Sequence, residues 1–216
     1  MGPKYEFTDE TMNYNGYTLH HIRRLSDGKL GGWIESEANL SQEGNCWVDG
    51  EAIVYDNAKV SGNAQVSDEA KVYGNATICQ NAYIYDSAQV YGDAIVSDNI
   101  WIFDNAQVYG QAKISQYARV YGNAKVYDKA EVYDYARVCG QAEIYGDACI
   151  TGGAIVYDNA RVYDDAKIYG DAKVYYNAEV CGSAKIHDNA KIHGNARIAN
   201  VEVYGDDDIT SLKWPV

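Results

Sequence analysis

The sequence predicts an all-β fold, a parallel β-solenoid, and a six-residue repeat is the main observation behind that prediction. Every sixth residue from Ala52 to Ala196 is alanine in 24 of 25 cases, with Ile100 as the exception. Valine or isoleucine follows two residues later in all 25 cases. In a strand, the two apolar residues of Ala-x-Val point to one side and x to the other, whereas a helix cannot keep a six-residue period on one face. The remaining three residues favour turns, so each unit is a short strand plus a corner.

Residues spaced 18 apart form ordered columns, which predicts three units in each coil. At this spacing the residue after valine or isoleucine is tyrosine seven times in succession: Tyr55, Tyr73, Tyr91, Tyr109, Tyr127, Tyr145 and Tyr163. The x position gives a ladder of alternating charge: Lys125, Glu143, Arg161, Glu179 and Arg197. Opposite charges on adjacent strands stabilise a sheet by about 0.2–1 kcal/mol per pair. A coil of four units would mix Cys79 and Phe103 into the tyrosine column, so a triangular coil of 18 residues is predicted.

The chain divides into three parts. Residues 1–31 do not repeat, and Asn15-Gly16 within them is a strong hairpin-turn signal, so a capping hairpin is predicted over the N-terminal end. Residues 32–198 are predicted to form the solenoid. Residues 199–216, where the repeat fails, are predicted to form a short C-terminal cap. Its apolar residues are Val201, Val203, Ile209, Leu212 and Trp214.

The first repeat units precede the regular stretch. Gly32-Trp33-Ile34 fits the pattern, and so does Ala38-Asn39-Leu40, with Ala38 and Leu40 at the two core positions. The next unit begins two residues late, at Cys46. A bulged corner is therefore predicted at residues 41–45.

Composition and charge argue against several classes of function. The net charge is −13, which disfavours a nonspecific grip on nucleic acid or on an anionic membrane. No N-terminal apolar segment resembles a secretory signal, and no apolar run has spanning length. The five cysteines are an odd number without repeat spacing, which is typical of reduced thiols. The expectation is a cytoplasmic protein without direct nucleic-acid or membrane binding.

The repeat resembles a known family. Ala-x-[Val/Ile] every six residues is similar to the repeat of the hexapeptide-repeat proteins. This resemblance implies a left-handed parallel β-helix with triangular coils. The left hand is implied by the resemblance alone, since ordinary parallel crossovers are right-handed. The stretch from Gly31 to Trp47 resembles the N-terminal part of uncharacterised bacterial and prophage proteins that carry an acyltransferase label. Relatives often form trimers, so a homo-oligomer, dimer or trimer, is also implied.

Histidines are the first candidates for catalysis, because the resemblance implies a histidine general base and an acyl-CoA donor held between subunits. His187 and His193 follow the core valine or isoleucine, a position that mostly holds tyrosine or serine. No corner between 46 and 198 carries an inserted loop that would cover a substrate. The simpler interpretation is two surface side chains in a column, with no catalytic residue and no cofactor. If the chain is an acyltransferase, His187 and His193 are the fallback catalytic residues.

Aspartates recur at the corners, and Asp68, Asp86 and Asp104 form one column with 18-residue spacing. One interpretation is that corner carboxylates accept local hydrogen bonds and tolerate left-handed backbone angles. The other is an acidic ridge that mimics a nucleic-acid backbone, which the lysines and arginines at x positions weaken. Cysteines and histidines do not cluster at ligand spacings, so no metal site is predicted.

The x positions distinguish three faces, and one of them is the predicted partner-binding face. Its column reads Trp47, Gln65, Tyr83, Trp101, Arg119, Arg137, Ile155, Lys173 and Lys191, without an acidic residue. Tryptophan and arginine are enriched at binding hot spots. The irregular unit at Ile100 also lies in this column, where its aromatic neighbours either mark a contact site or cover a local distortion. The predicted partner-binding residues are Trp47, Tyr83, Trp101, Phe103, Arg119, Arg137, Ile155 and Lys173.

The sequence therefore favours a non-catalytic rod that binds a protein partner. The prophage resemblance implies an inhibitor of a host or defence protein. Two alternatives stay open at this point: an acyltransferase that uses an acyl-CoA donor, and an acidic nucleic-acid mimic.

Overall fold

The structure is a computed structural model that describes residues 2–211. It confirms an all-β chain in which short parallel strands stack in coils of 18 residues. Ile84, for example, pairs with Val66 on one side and with Ile102 on the other, each 18 residues away. Leu212 and Trp214 of the predicted C-terminal cap lie outside the described residues. Over the described range, no helix has the length and apolarity needed to cross a membrane.

The strands are long only at the N-terminus. The N-terminal strands are β1 (Tyr5–Tyr14), β2 (Tyr17–Arg24) and β3 (Leu30–Ile34). A 3-10 helix follows at Glu37–Asn39. The later strands are β4 (Trp47–Val48), β5 (Ile53–Val54), β6 (Lys59–Val60), β7 (Gln65–Val66), β8 (Lys71–Val72), β9 (Thr77–Ile78), β10 (Tyr83–Ile84), β11 (Gln89–Val90), β12 (Ile95–Val96), β13 (Trp101–Ile102), β14 (Gln107–Val108), β15 (Lys113–Ile114), β16 (Arg119–Val120), β17 (Lys125–Val126), β18 (Glu131–Val132), β19 (Arg137–Val138), β20 (Glu143–Ile144), β21 (Cys149–Ile150), β22 (Ile155–Val156), β23 (Arg161–Val162), β24 (Lys167–Ile168), β25 (Lys173–Val174), β26 (Glu179–Cys181), β27 (Lys185–Ile186), β28 (Lys191–Ile192), β29 (Arg197–Ala199), β30 (Glu202–Val203) and β31 (Asp208–Ile209).

Three sheets run along the rod, one for each side of the triangle. The first contains β1, β2, β3, β5, β8, β11, β14, β17, β20, β23, β26 and β29, and its outer surface is the alternating-charge face. The second contains β4, β7, β10, β13, β16, β19, β22, β25, β28 and β31, and the outward residues of these strands form the aromatic–arginine face. The third contains β6, β9, β12, β15, β18, β21, β24, β27 and β30, and its outer surface is the mixed face.

An antiparallel hairpin extends the first sheet at its N-terminal edge. β1 and β2 pair around Asn15 and Gly16, which both have positive φ. β2 then pairs antiparallel with β3, and β3 pairs parallel with β5. The hydroxyl of buried Tyr5 donates to the carbonyl oxygen of Leu40 at 2.8 Å. The fold thus includes the predicted N-terminal hairpin cap.

The unit predicted at residues 38–40 is confirmed at Leu40, which is fully buried in the core, and wrong at Ala38. Ala38 is exposed, whereas Asn39 is fully buried within the 3-10 helix. The Asn39 amide donates to the carbonyl oxygens of Asp56 and Ala58, both at 2.9 Å. An unpaired buried carbonyl is costly, so a side chain that satisfies two of them displaces the expected Ala-x-Leu strand.

The corner after this helix contains two extra residues, as predicted. Leu40 is bridged to Val60, and Val48 pairs with Val66. The step of eight residues from Leu40 to Val48 therefore lies opposite a step of six residues, from Val60 to Val66, on the next coil. This difference confirms a bulged corner at 41–45.

The interior of the rod is uniform. The alanine of each unit and the valine or isoleucine two residues later have almost no exposed surface. Ile100 is fully buried at the alanine position, and Trp101 beside it keeps regular pairing with Tyr83. The larger core side chain is therefore accommodated without a change of register.

The corners depend on left-handed backbone conformation. Asp68 has φ +61° and Gly74 has φ +70°. A Cβ atom at Gly74 would lie 2.8 Å from the backbone nitrogen of Gly92 in the next coil. Glycine or aspartate occupies most of these corners because both tolerate this conformation.

Candidate functional site

Three consecutive coils place Trp101, Arg119 and Arg137 side by side on the aromatic–arginine face. β13, β16 and β19 pair in parallel register, so the outward residue of each strand lies opposite the next one. All three side chains are exposed, Trp101 to 42%. The column reaches Asp208 on β31, which pairs with Lys191. The aromatic–arginine face thus follows the order that the sequence predicts and ends with an acidic residue that the predicted column did not include.

A surface groove of about 380 Å³ lies at this position. Its lining residues are Asn99, Trp101, Tyr117, Arg119, Tyr135 and Arg137. Tyr117 and Tyr135 project from the corner that leads into the second sheet, and their rings stack with centroids 5.0 Å apart. Four of the nine exposed large hydrophobic side chains in residues 2–211 lie at or beside this groove, on four consecutive coils. Those four are Tyr83, Trp101, Tyr117 and Tyr135.

Two neighbours hold Trp101 in place. The Cζ atom of Arg119 lies over the Trp101 ring, 4.7 Å from its centroid. Tyr83 meets the same ring edge-on, with centroids 6.5 Å apart and planes at 73°. A cation–π contact at an exposed site contributes about 0.5–1 kcal/mol, and aromatic pairs prefer this edge-to-face geometry. Trp101 and Arg119 therefore form one preorganised surface.

Arg119 and Arg137 have no carboxylate within ion-pair distance among residues 2–211. The other four arginines do have one, in the pairs Arg23–Glu6, Arg24–Asp27, Arg161–Glu179 and Arg197–Glu179. Like charges directly opposite each other destabilise a sheet. The groove thus contains two adjacent positive charges that the described part of the chain leaves uncompensated.

A second groove shows that size alone does not single out the first. It measures about 340 Å³ and lies on the mixed face. Its lining residues are Gln111, Lys113, Lys129, Glu131 and Asp147. Lys113 Nζ is 3.0 Å from Glu131 Oε1, and no aromatic ring lines the groove. The unpaired arginines and the aromatic rings distinguish the groove on the aromatic–arginine face.

Tyr117 and Tyr135 are groove residues that the x column does not predict. They hold the position before the core alanine, where the preceding coils carry Asn63, Asn81 and Asn99. Those amides form a ladder, in which Asn63 Nδ2 donates to Asn81 Oδ1 at 2.9 Å. Tyr117 and Tyr135 end the ladder and are the only aromatic residues at this position in 25 units. That departure is the sequence signal that identifies them.

Trp47 is wrong as a partner-binding residue, because the N-terminal hairpin covers it. It is only 2% exposed. The Arg24 guanidinium lies 4.4 Å from its ring centroid, and the Tyr5 ring meets it edge-on. Its indole nitrogen has no hydrogen-bond partner among the described residues. Trp47 therefore anchors the cap to the first coil.

The remaining predicted partner-binding residues have different surroundings. Phe103 is half-buried and stacks between Tyr85 and Tyr121, at 5.0 and 4.9 Å between centroids. Ile155 is half-buried on β22, and Lys173 is exposed on β25. They extend the aromatic–arginine face beyond the groove but do not line it.

One comparison with known proteins gives a match. Residues 88–102 match the YdcK beta solenoid repeat. The matched segment runs from the core alanine before β11 to the end of β13, so it reaches Trp101 at the groove. Together with the coil geometry it supports a repeat β-helix family. A comparison with curated proteins finds no match.

His187 and His193, the fallback catalytic residues, both face carboxylates. His187 Nε2 is 3.0 Å from Glu202 Oε1, and its Nδ1 is 3.3 Å from Asp188 Oδ1. His193 Nε2 is 2.5 Å from Asp208 Oδ1. Each ring also stacks on the tyrosine 18 residues earlier, His187 on Tyr169 and His193 on Tyr175, with centroids 4.7 Å apart in both pairs. The geometry favours the interpretation of both histidines as column residues.

The acidic corner ridge of Asp68, Asp86 and Asp104 is tied to the backbone. The Asp86 amide donates to Asp68 Oδ2 at 3.3 Å, and the Asp104 amide donates to Asp86 Oδ2 at 3.1 Å. In the next coil, the Gly122 amide donates to Asp104 Oδ2 at 2.9 Å. All three aspartates have φ between +55° and +61°. These contacts support the structural interpretation of the corner carboxylates.

The tyrosine column from Tyr55 to Tyr163 is a continuous stack. Successive ring centroids are 4.8–5.1 Å apart. Tyr55 is covered by Tyr14 and Tyr17 of the hairpin. Burial is the main cause that raises the pKa of both Tyr55 and Tyr73 to about 12. All seven rings are buried or half-buried, whereas Tyr117 and Tyr135 are exposed, so this column offers less apolar surface to a partner than the groove does.

Metal and thiol chemistry find little support in the described residues. Among residues 2–211, no group of three or more histidine, cysteine, aspartate or glutamate side chains could hold a metal ion. Cys46 and Cys181 are buried thiols. Burial raises the pKa of the Cys79 and Cys139 thiols, which disfavours the thiolate that a nucleophile or metal ligand requires.

Proposed function

We propose that this chain is a non-catalytic, rigid β-solenoid that binds a protein partner through the aromatic–arginine face, with the groove at Trp101, Arg119 and Arg137 as the centre of contact. The observation that carries the proposal is the concentration of exposed aromatic rings and unpaired arginines in one place. Tryptophan, tyrosine and arginine are the residue types that dominate interface hot spots.

The rod supplies rigidity to this surface. Each groove strand is hydrogen-bonded to the coils on both sides, as in the bond from the Arg119 amide to the Ala136 carbonyl at 3.0 Å. Side chains on such a scaffold lose little backbone entropy on binding, since the backbone is already ordered. The groove therefore meets its partner in a fixed arrangement.

The more specific proposal is that the partner is a host or defence protein, and that the chain, encoded by a phage or prophage, inhibits it. This step rests on the resemblance of residues 31–47 to bacterial and prophage proteins, which is an analogy and not a site geometry. The acyltransferase and nucleic-acid-mimic alternatives lack a comparable observation. His187 faces carboxylates, and the corner aspartates bond to the backbone.

Capture from a lysate of the native host tests the proposal. The tagged wild type is compared with the double variant Trp101→Ala/Arg119→Glu and with a matched control, Gln107→Ala/Lys59→Glu, whose two positions lie on the other two faces. We expect mass spectrometry to identify a protein that the wild type and the control retain and the groove variant loses. Equal retention by all three proteins would place the contact elsewhere.

A further inference from the structure

We infer that the groove recognises an acidic segment of the partner, in which a glutamate or aspartate carboxylate binds the Arg119 and Arg137 guanidinium groups while an adjacent apolar side chain packs on Trp101 and Tyr135. This inference rests on the proposed function and adds the chemistry of the partner to it.

The charge of the groove is the first argument. Arg119 and Arg137 lie on neighbouring strands, opposite each other in register. The same relation on the alternating-charge face places Lys125 opposite Glu143, with Lys125 Nζ 3.4 Å from Glu143 Oε1. Two arginines in this relation repel each other. A carboxylate from another molecule would remove that repulsion, so the site is complementary to an acidic ligand.

The position of Arg119 is the second argument. Its Cζ atom lies 4.7 Å from the centroid of the Trp101 ring. A cation–π contact draws on the charge of the guanidinium, whereas a bound carboxylate accepts hydrogen bonds from its N–H groups. The same arginine can therefore contact Trp101 and donate to a carboxylate of the partner.

The aromatic border is the third argument. The Tyr117 and Tyr135 rings are nearly parallel, with planes at 6°, and Tyr135 is 65% exposed. They lie at one side of the arginine pair and offer both ring surface and hydroxyl donors. An apolar residue next to the bound carboxylate would pack there. The groove volume of about 380 Å³ suits a short segment of this kind.

The acidic character of the rest of the chain argues against a long polyanion. The net charge is −13, and the corner after β10 and β13 carries Asp86 and Asp104. A nucleic-acid backbone crossing the face would meet these carboxylates as well as the arginines. A segment with one or two carboxylates meets only the arginines, so the observations favour an acidic peptide over nucleic acid.

Fluorescence anisotropy with labelled synthetic peptides tests the inference on the intact protein. The probe is a short peptide of alternating glutamate and phenylalanine, and the comparison peptides replace glutamate with glutamine or phenylalanine with serine. A single-stranded oligothymidylate serves as the phosphate probe. We expect the glutamate–phenylalanine peptide to bind most tightly, with an affinity that falls as salt rises.

Variants assign the binding to the arginine pair. Arg119→Gln and Arg137→Gln should each weaken binding of that peptide about tenfold or more, since a lost charge-assisted hydrogen bond commonly exceeds a tenfold effect. Arg119→Lys should restore part of the affinity, because it keeps the charge but not the planar fork. Arg161→Gln, on the alternating-charge face, is the matched control and should change nothing. Circular dichroism of each variant confirms that the fold is intact.

Three results would overturn the inference. Equal binding of the glutamine peptide, unchanged binding after both arginine substitutions, or tighter binding of oligothymidylate would each remove the acidic-peptide assignment. The proposed function fails separately, through the lysate experiment. If the groove variant loses its host partner while no acidic peptide binds, the interface is upheld and only its assigned chemistry is wrong.

Discussion

Arg119 and Arg137 form a like-charge pair that costs the folded chain stability. They face each other on β16 and β19 without a carboxylate within ion-pair distance in the described residues. On the alternating-charge face, each glutamate lies between two basic residues: Glu143 pairs with Lys125 and Arg161, and Glu179 pairs with Arg161 and Arg197. A pair that opposes folding and lines a groove is the pattern expected where binding, and not stability, sets the residue.

The substitution Arg137→Glu should therefore stabilise the chain while it weakens partner binding. It would place opposite charges on neighbouring strands, and the expected gain in the free energy of unfolding is about 0.2–1 kcal/mol. Chemical denaturation followed by circular dichroism measures that gain. Glu143→Arg is the inverse control, because it creates like charges beside Lys125 and Arg161 and should lower stability. A loss of stability in Arg137→Glu would mean that the arginine makes a stabilising contact within the chain.

Single residues also show where prediction from sequence reached its limit. Arg119 and Trp101 were predicted as neighbours because a fixed period of 18 determines their column. Trp47 belongs to the same column but is buried by Tyr5 and Arg24, which come from the non-repeating hairpin. A tertiary contact of that kind leaves no periodic signal, so the column alone could not predict it.

At the scale of elements, the stacked tyrosine column links the hairpin to the coils. Tyr14 and Tyr17 of the hairpin contact Tyr55, which in turn stacks on Tyr73 at 5.1 Å. The stack holds neutral phenols, because burial raises the pKa of Tyr55 and Tyr73 to about 12, above the ordinary value of 10. Ionisation of these phenols is therefore coupled to loss of the fold.

Stability should fall at alkaline pH. A phenol with a raised pKa in the folded state contributes stability that is complete below pH 10, the ordinary pKa of tyrosine in an unfolded chain, and is lost as the pH rises toward about 12. The free energy of unfolding, measured by denaturation across this range, should decrease as the pH rises. Tyr55→Phe/Tyr73→Phe removes two of the phenols whose pKa is raised and should make the decrease smaller. An identical pH dependence in both proteins would show that other groups control alkaline unfolding.

The repeating elements and the change of phase between them were predictable, whereas side-chain contacts between coils were not. The two-residue insertion at 41–45 was visible as a change of phase, and the structure places it there. The role of Asn39 was not visible, because its amide hydrogen bonds to Asp56 and Ala58 exist only once the coils have stacked. Tyr117 and Tyr135 depart from an amide column, and that departure becomes meaningful when all positions of the unit are sorted by coil.

At the scale of the whole molecule, the interior and the outer faces differ in how much they vary from coil to coil. The interior is nearly identical from coil to coil, so its residues stabilise the rod but do not distinguish one coil from another. The outer faces differ: one alternates in charge, one is mixed, and one concentrates aromatic rings and unpaired arginines. Left-handed winding was implied only by family resemblance, whereas the assignment of residues to faces followed from spacing and agrees with the strand pairing.

The central claim, that the partner contacts the groove, is tested most directly by site-specific photo-crosslinking in host lysate. A photoreactive phenylalanine analogue replaces Tyr135 in the groove or, as the matched control, Lys129 in the mixed-face groove. Both residues are exposed and precede the core alanine of their unit. We predict one partner adduct from position 135 and none from position 129. Adducts of equal yield at both positions, or an adduct from position 129 alone, would contradict the claim.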